Sequence, residues 1–205
     1  MKLFQPTYFS PISQYAAMYG EKHIAFEFED DYQKQTYRNR CYIGGPNGKQ
    51  LLNIPVKHGT YSRKTKNIEI DYDSSRWYDN HIKSLQAAYR SSPFFEFYEP
   101  DIISIFKKEY KYLIELNIAF HNFVINALQE ETRFSQTSNF HFEKREDDYR
   151  FLAIAKQKLT WKFPSYIQMF DRKHGFQENL SILDLLFMEG PASYKYLLSI
   201  NKMNP

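Results

Sequence analysis

Lys34-Gln35-Thr36-Tyr37-Arg38-Asn39-Arg40-Cys41-Tyr42-Ile43 is the stretch on which the fold of this chain turns, because it gathers three cations, an amide and the only cysteine. Taken as a strand, it alternates between two faces: Lys34, Thr36, Arg38 and Arg40 on one, Gln35, Tyr37, Asn39, Cys41 and Ile43 on the other. A row of guanidinium and ammonium groups suits a phosphate or carboxylate, since arginine offers such a group two parallel donors. The same row also describes a solvated edge strand kept from sticking by its charge. Glu29-Asp30-Asp31 lies just upstream, so part of the cationic charge balances these carboxylates.

Working outward, Gly44-Gly45-Pro46-Asn47-Gly48-Lys49 is a hairpin signal, with Asn47-Gly48 at the turn and a return strand over 50–56. It lacks the spacing and the following Ser or Thr of a phosphate-binding Walker loop. Upstream, Ser10 is expected to cap a helix with Pro11 at its first position, Ile12, Tyr15, Ala16 and Tyr19 inward, and Gly20 at its end. A strand is expected over 23–28, where Ile24, Phe26 and Phe28 alternate with Ala25 and Glu27. Residues 58–66 form a basic loop, a candidate lid over an anion, and 67–72 a further strand.

Beyond residue 72 the pattern turns helical. A helix from Ser74 or Ser75 to Ser91 carries Trp77, His81, Leu85 and Ala88 on one stripe. Ser92-Pro93 and Glu99-Pro100 each look like a helix start, giving helices over 93–98 and 100–111. The next, over 112–129, buries Leu113, Leu116, Phe120, Phe123, Val124 and Ala127. Residues 130–149 are polar and mixed in charge and are expected to be a linker or inserted flap. Residues 162–170 are extended and aromatic. Asn179 or Ser181 caps a helix over 182–189, Gly190 closes it and Pro191 opens the last one, to Ile200. The expected fold is α+β: a single domain over 1–205, with a small, mostly antiparallel sheet from about 1–72 packed on a helical part from about 74–205.

Among 205 residues, 27 basic and 24 acidic side chains leave a net charge of +3, well short of the one-sided balance of most nucleic-acid binders. One cysteine excludes an internal disulfide and fits a reducing compartment. Neither a secretion signal nor a run long enough to span a bilayer is visible, so a cytoplasmic protein is expected. The aromatic fraction, 18%, makes large flat side chains the main packing material, and it also fits a homodimer surface on the helical half.

The six histidines show no paired metal-ligand spacing, no Gly-x-Ser-x-Gly elbow occurs, and no cofactor is implied. What remains is Cys41 with His81 as its histidine, a thiol whose acidity would rise near Lys34, Arg38 and Arg40. An inert buried thiol and a core histidine are the alternatives.

Gln5-Pro6-Thr7-Tyr8-Phe9-Ser10-Pro11, the Lys34–Cys41 stretch, Leu52-Asn53-Ile54-Pro55-Val56, Trp77 with His81, Ala88-Tyr89, and 179–186 with Glu189-Gly190-Pro191 together resemble the WbqC-like protein family. That resemblance implies a place in bacterial O-antigen or surface-polysaccharide synthesis. It also implies a transferase moving a glycyl or other aminoacyl group from an activated acyl donor to a nucleotide-linked or lipid-linked sugar. Such chemistry needs a phosphate site, a base and oxyanion donors. Lys34, Arg38 and Arg40 are the candidates for the phosphate, His81 for the base, Asn39 and Gln5 for orienting the carbonyl, and Cys41 for an acyl carrier. Tyr8, Tyr37, Trp77 and Tyr89 are the candidates for stacking on sugar faces. A non-catalytic scaffold or ligand-binding protein of the same pathway, and a Cys-His hydrolase, are the competing readings.

Overall fold

The computed structural model describes residues 1–57, 64–140 and 146–204. Its centre is a parallel sheet, not an antiparallel one. Strand β1 (Leu3–Phe4) pairs with β2 (His23–Phe26), and β2 pairs with β5 (Arg133–Gln136), both in parallel. Parallel neighbours need a crossover; between β1 and β2 it is helix α1 (Ile12–Met18), every residue of which is buried. On the far side of β1, Leu3 bridges Asp148 in parallel, its N–H donating to the Asp147 carbonyl at 2.8 Å and its carbonyl accepting from Tyr149 at 2.9 Å. The segment expected to be a flap over 130–149 thus supplies both outer edges of this sheet; residues 141–145 lie outside the described residues.

The expected hairpin is present, shorter and detached from that sheet. Strand β3 (Arg40–Gly45) pairs antiparallel with β4 (Gly48–Asn53), with Gly48 at φ +96° making the turn. The expected strand does not begin at Lys34: 34–39 is a run of turns and bends with Gln35 at φ +61°. Backbone bonds from Tyr8 N–H to the Tyr37 carbonyl and from Tyr37 N–H to Ala153, each 2.8 Å, hold that run in place. The face that would have aligned Lys34, Arg38 and Arg40 therefore does not exist. Lys34 is exposed, Arg38 buried and Arg40 half-buried. The strand expected over 67–72 is a 3-10 turn (Thr65–Asn67) followed by single bridges at Glu69 and Ile70. Most of the candidate lid, 58–63, lies outside the described residues.

Helix α2 (Trp77–Tyr89) buries Trp77, His81, Leu85 and Ala88, the stripe its spacing predicts. Helix α3 (Phe95–Lys107) runs through Pro100 instead of breaking there. An interior proline costs about 3 kcal/mol, and the burial of Phe95, Ile102 and Phe106 offsets it at roughly 1.5–3 kcal/mol per side chain. Helix α4 (Leu113–Ala127) buries two polar residues, Asn117 and His121, in its apolar face.

The short α5 (Asp171–His174) is followed by α6 (Ile182–Glu189) and α7 (Ser193–Met203). Ser181 caps α6, its hydroxyl accepting from Leu183 N–H at 3.2 Å. Pro11, rather than Ser10, occupies the cap position of α1, and the first turn of that helix is satisfied from afar. Ile12 N–H reaches the Leu180 carbonyl at 2.9 Å and Ser13 N–H reaches Asn179 Oδ1 at 2.9 Å. Two distant segments of the chain thus terminate one another's helices. Among the described residues no helix is long and apolar enough to cross a membrane.

Candidate functional site at the carboxyl edge of the parallel sheet

In parallel sheets, ligands bind outside the carboxyl ends of the strands. Here Gln5 follows β1, Glu27 follows β2, Thr137 follows β5, and Arg150 follows the segment beside β1. Next to them opens a cleft of about 400 Å³ lined by Gln5, Asp30, Gln33, Arg38, Asp148 and Arg150, with Phe140, Phe151 and Ile154 forming its apolar wall.

The floor is a buried ion pair. Arg38 Nη2 donates to Asp30 Oδ2, with only 3% and 5% of the two side chains exposed. Gln5 Nε2 donates to the same oxygen at 2.8 Å, and Arg38 Nη1 to Thr36 Oγ1 at 3.2 Å. Three polar atoms of this trio, Gln5 Oε1, Asp30 Oδ1 and Arg38 Nε, are buried without a hydrogen-bond partner. A buried group left unsatisfied costs about 1–3 kcal/mol, so three such atoms on mutually bonded residues that line one cleft mark it out from ordinary core.

Supporting residues hold the floor. Asn117 Nδ2 donates to the Arg38 carbonyl at 2.8 Å and to the Pro6 carbonyl at 3.2 Å, tying α4 to both segments. Gln14 Nε2 donates to the Gln5 carbonyl at 2.9 Å. On the rim, Arg150 donates to both oxygens of Asp148 at 2.9 and 2.7 Å and to Glu27 Oε2 at 3.0 Å, while Thr137 Oγ1 donates to Glu27 Oε1 at 2.7 Å. Both arginines of the cleft are therefore already matched by carboxylates, and Lys34 and Arg40 do not join Arg38 there as the expected cationic row would require.

Of the expected site residues, Gln5 and Arg38 meet in this cleft. The others lie elsewhere. Lys34 sits on an exposed turn next to Gln33. Arg40 is half-buried at the start of β3. Asn39 Nδ2 donates to the Ile54 carbonyl at 2.9 Å and to Asn53 Oδ1 at 3.2 Å, bracing the hairpin. Tyr37 packs edge-on against Tyr42. Tyr8, Trp77 and His81 are core. His81 Nδ1 is hydrogen-bonded to Tyr8 Oη at 2.8 Å, and Trp77 and Phe106 close around the ring. Burial holds the His81 pKa down at about 4, against a weaker upward pull from a hydrogen bond to the Asn53 backbone.

Cys41 is 1% exposed. Burial pushes its thiol well above the ordinary range, the reverse of the activation expected from neighbouring cations. Tyr8, not Cys41, holds His81 Nδ1. Tyr89, fully buried, donates to Asp184 Oδ2 at 2.6 Å in a cluster that includes Tyr166 and Gln168, so it offers no face to a sugar.

Sequence reasoning did not single out Asp30, Glu27, Asp148, Arg150 or Asn117. Asn117 carried a signal, a lone amide among Leu113, Leu116 and Phe120 on an inward stripe. Glu27 carried little, because Arg150 and Thr137 are more than a hundred residues away, and Asp30 and Asp148 read as ordinary surface charge in acidic runs.

A family model described as the WbqC-like protein family matches residues 5–160, about three quarters of the 205. The chain belongs to the WbqC-like protein family. The match takes in every residue lining the cleft, from Gln5 to Ile154, and stops short of the Asp184 cluster. No curated protein and no solved structure matches the chain.

Proposed function

We propose that this WbqC-like protein is a transferase of bacterial surface-polysaccharide synthesis that joins an activated acyl donor to a nucleotide-linked or lipid-linked sugar in the carboxyl-edge cleft. The observation that carries this reading is the Asp30 carboxylate. Gln5 and Arg38 grip one of its oxygens, and the other has no partner. A carboxylate so held can accept a proton in one direction only, as a positioned base requires. In the proposed step the acceptor's amine or hydroxyl attacks the acyl carbon, Asp30 Oδ1 takes its proton, and the donor's leaving group departs from the tetrahedral intermediate. Gln5 and Arg38 orient Asp30, which takes the role of base expected of His81.

The test is the purified chain incubated with acyl and aminoacyl donors and sugar acceptors, with product read by mass spectrometry. Asp30→Asn is expected to abolish product, and turnover undiminished in that variant would refute the assignment. A second reading, a ligand-binding protein without turnover, is favoured by the sealing of both Cys41 and His81 in the core. It predicts saturable binding in the cleft with no product from any donor.

A further inference from the structure

The hydrogen-bonding valence of the cleft floor specifies more than a base. Asp30 Oδ2 can only accept when ionised, so the Gln5 group bonded to it is the Nε2 amide and Oε1 is the free end. The partnerless set is then two acceptors, Gln5 Oε1 and Asp30 Oδ1, and one donor, Arg38 Nε–H. All three residues meet at the single oxygen Asp30 Oδ2, and all three line the cleft.

A pair of adjacent hydroxyls completes the set. One donates to Gln5, one to Asp30, and either oxygen accepts from Arg38. A primary ammonium brings donors only and leaves Arg38 Nε unmet. A phosphate at neutral pH brings mainly acceptors, which face the Asp30 carboxylate and gain one donor.

We infer that the cleft floor is a subsite for a vicinal hydroxyl pair on an uncharged ring, engaged by Gln5, Asp30 and Arg38, and that it discriminates against phosphate. This rests on reading the cleft as the acceptor site, and it places any phosphate of a donor or carrier away from Arg38. The three atoms are closed to water in this conformation, so engaging the hydroxyls requires the Gln5 or Arg38 side chain to move.

The experiment is an NMR titration of the full chain with methyl α-mannopyranoside, its 2-deoxy analogue and inorganic phosphate, each at tens of millimolar. The resonances followed are those of the Gln5 side-chain amide and the Arg38 Nε–H. The mannoside is expected to shift both, the deoxy analogue to bind at least tenfold more weakly, and phosphate to shift neither. In Gln5→Leu the mannoside response at Arg38 Nε–H is expected to vanish; should that variant not fold, the deoxy comparison on the native chain decides alone. A phosphate response at Arg38 Nε–H, equal binding of the deoxy analogue, or no response to the mannoside overturns the inference. If Asp30→Asn still abolishes transfer in that event, the cleft stands as the catalytic site and only its ligand preference is lost. If transfer is also unaffected, the proposed function falls with it.

Discussion

The Asp30–Arg38 pair joins the fold to the proposed function, and its energetics can be tested separately from catalysis. Arg38→Met leaves the Asp30 carboxylate buried at 4% exposure with only Gln5 as partner. Removing one member of such a pair costs about 3–5 kcal/mol. At about 2–4 °C per kcal/mol for a chain of this size, the melting temperature should drop by roughly 6–20 °C. Asp30→Leu alone strands the guanidinium and should cost a similar amount. The double variant Asp30→Leu/Arg38→Met replaces the pair with apolar side chains, an exchange that is often near neutral, so most of the lost stability should return. The assay is thermal unfolding of the wild type, both singles and the double, analysed as a cycle. A coupling of at least about 2 kcal/mol is expected. Single variants melting within a degree or two of wild type, or strictly additive losses, would refute the buried pair as the cleft's floor. The double variant should fold yet make no product, separating scaffold from chemistry.

Other consequences can be measured independently. The Cys41 thiol, buried and raised in pKa, should resist iodoacetamide in the native chain, and Cys41→Ser should keep transfer activity; rapid native alkylation with loss of activity would revive the nucleophile. His81 and His121 are both held down at about 4 by burial, against an ordinary value near 6.5. The unfolded chain therefore takes up protons that the folded chain refuses. Their stabilising contribution is present above pH 6.5 and is lost as pH falls towards 4, by roughly 3 kcal/mol each at the limit. The Tyr8→Phe/His81→Phe variant should flatten the stability-against-pH slope in that window, and an unchanged slope would refute the assignment. At Gly190, φ is +55° and an added Cβ would lie 2.6 Å from the Phe94 ring. Gly190→Ala should destabilise by at least about 1–3 kcal/mol from backbone strain alone, read by urea unfolding; an unchanged midpoint would contradict it.

The parts of the fold legible in the sequence were those with long periods or strong punctuation. The stripe on α2 spans several turns, so its phase is unambiguous, and Gly48 marks the hairpin turn because that turn needs a positive φ. The parallel sheet was illegible for the opposite reason. Strands of two and four residues hardly complete a period, and β5, Arg133-Phe134-Ser135-Gln136, carries charge and amide like a loop. Its partners lie more than a hundred residues away, beyond any local pattern.

The cationic stretch was misread through the same locality. Arg38 is drawn inward by Asp30, eight residues upstream, rather than outward to join Lys34 in an anion clamp. The acidic run balances charge, and for Asp30 and Arg38 it does so as a buried pair. Gln5 and Arg38 do share a cleft, but what brings them together is the Asp30 carboxylate, which lies between them in the chain and reads in sequence as one member of an acidic run.

The central claim is that chemistry takes place at Asp30 on the carboxyl edge of the parallel sheet. The most direct test is the glycan mass profile of a host strain lacking its own copy, complemented with wild type, Asp30→Asn or Cys41→Ser. The added acyl mass is predicted to appear with wild type and Cys41→Ser and to be missing with folded Asp30→Asn. Its presence with Asp30→Asn and loss with Cys41→Ser would contradict the account and return the chemistry to the buried thiol.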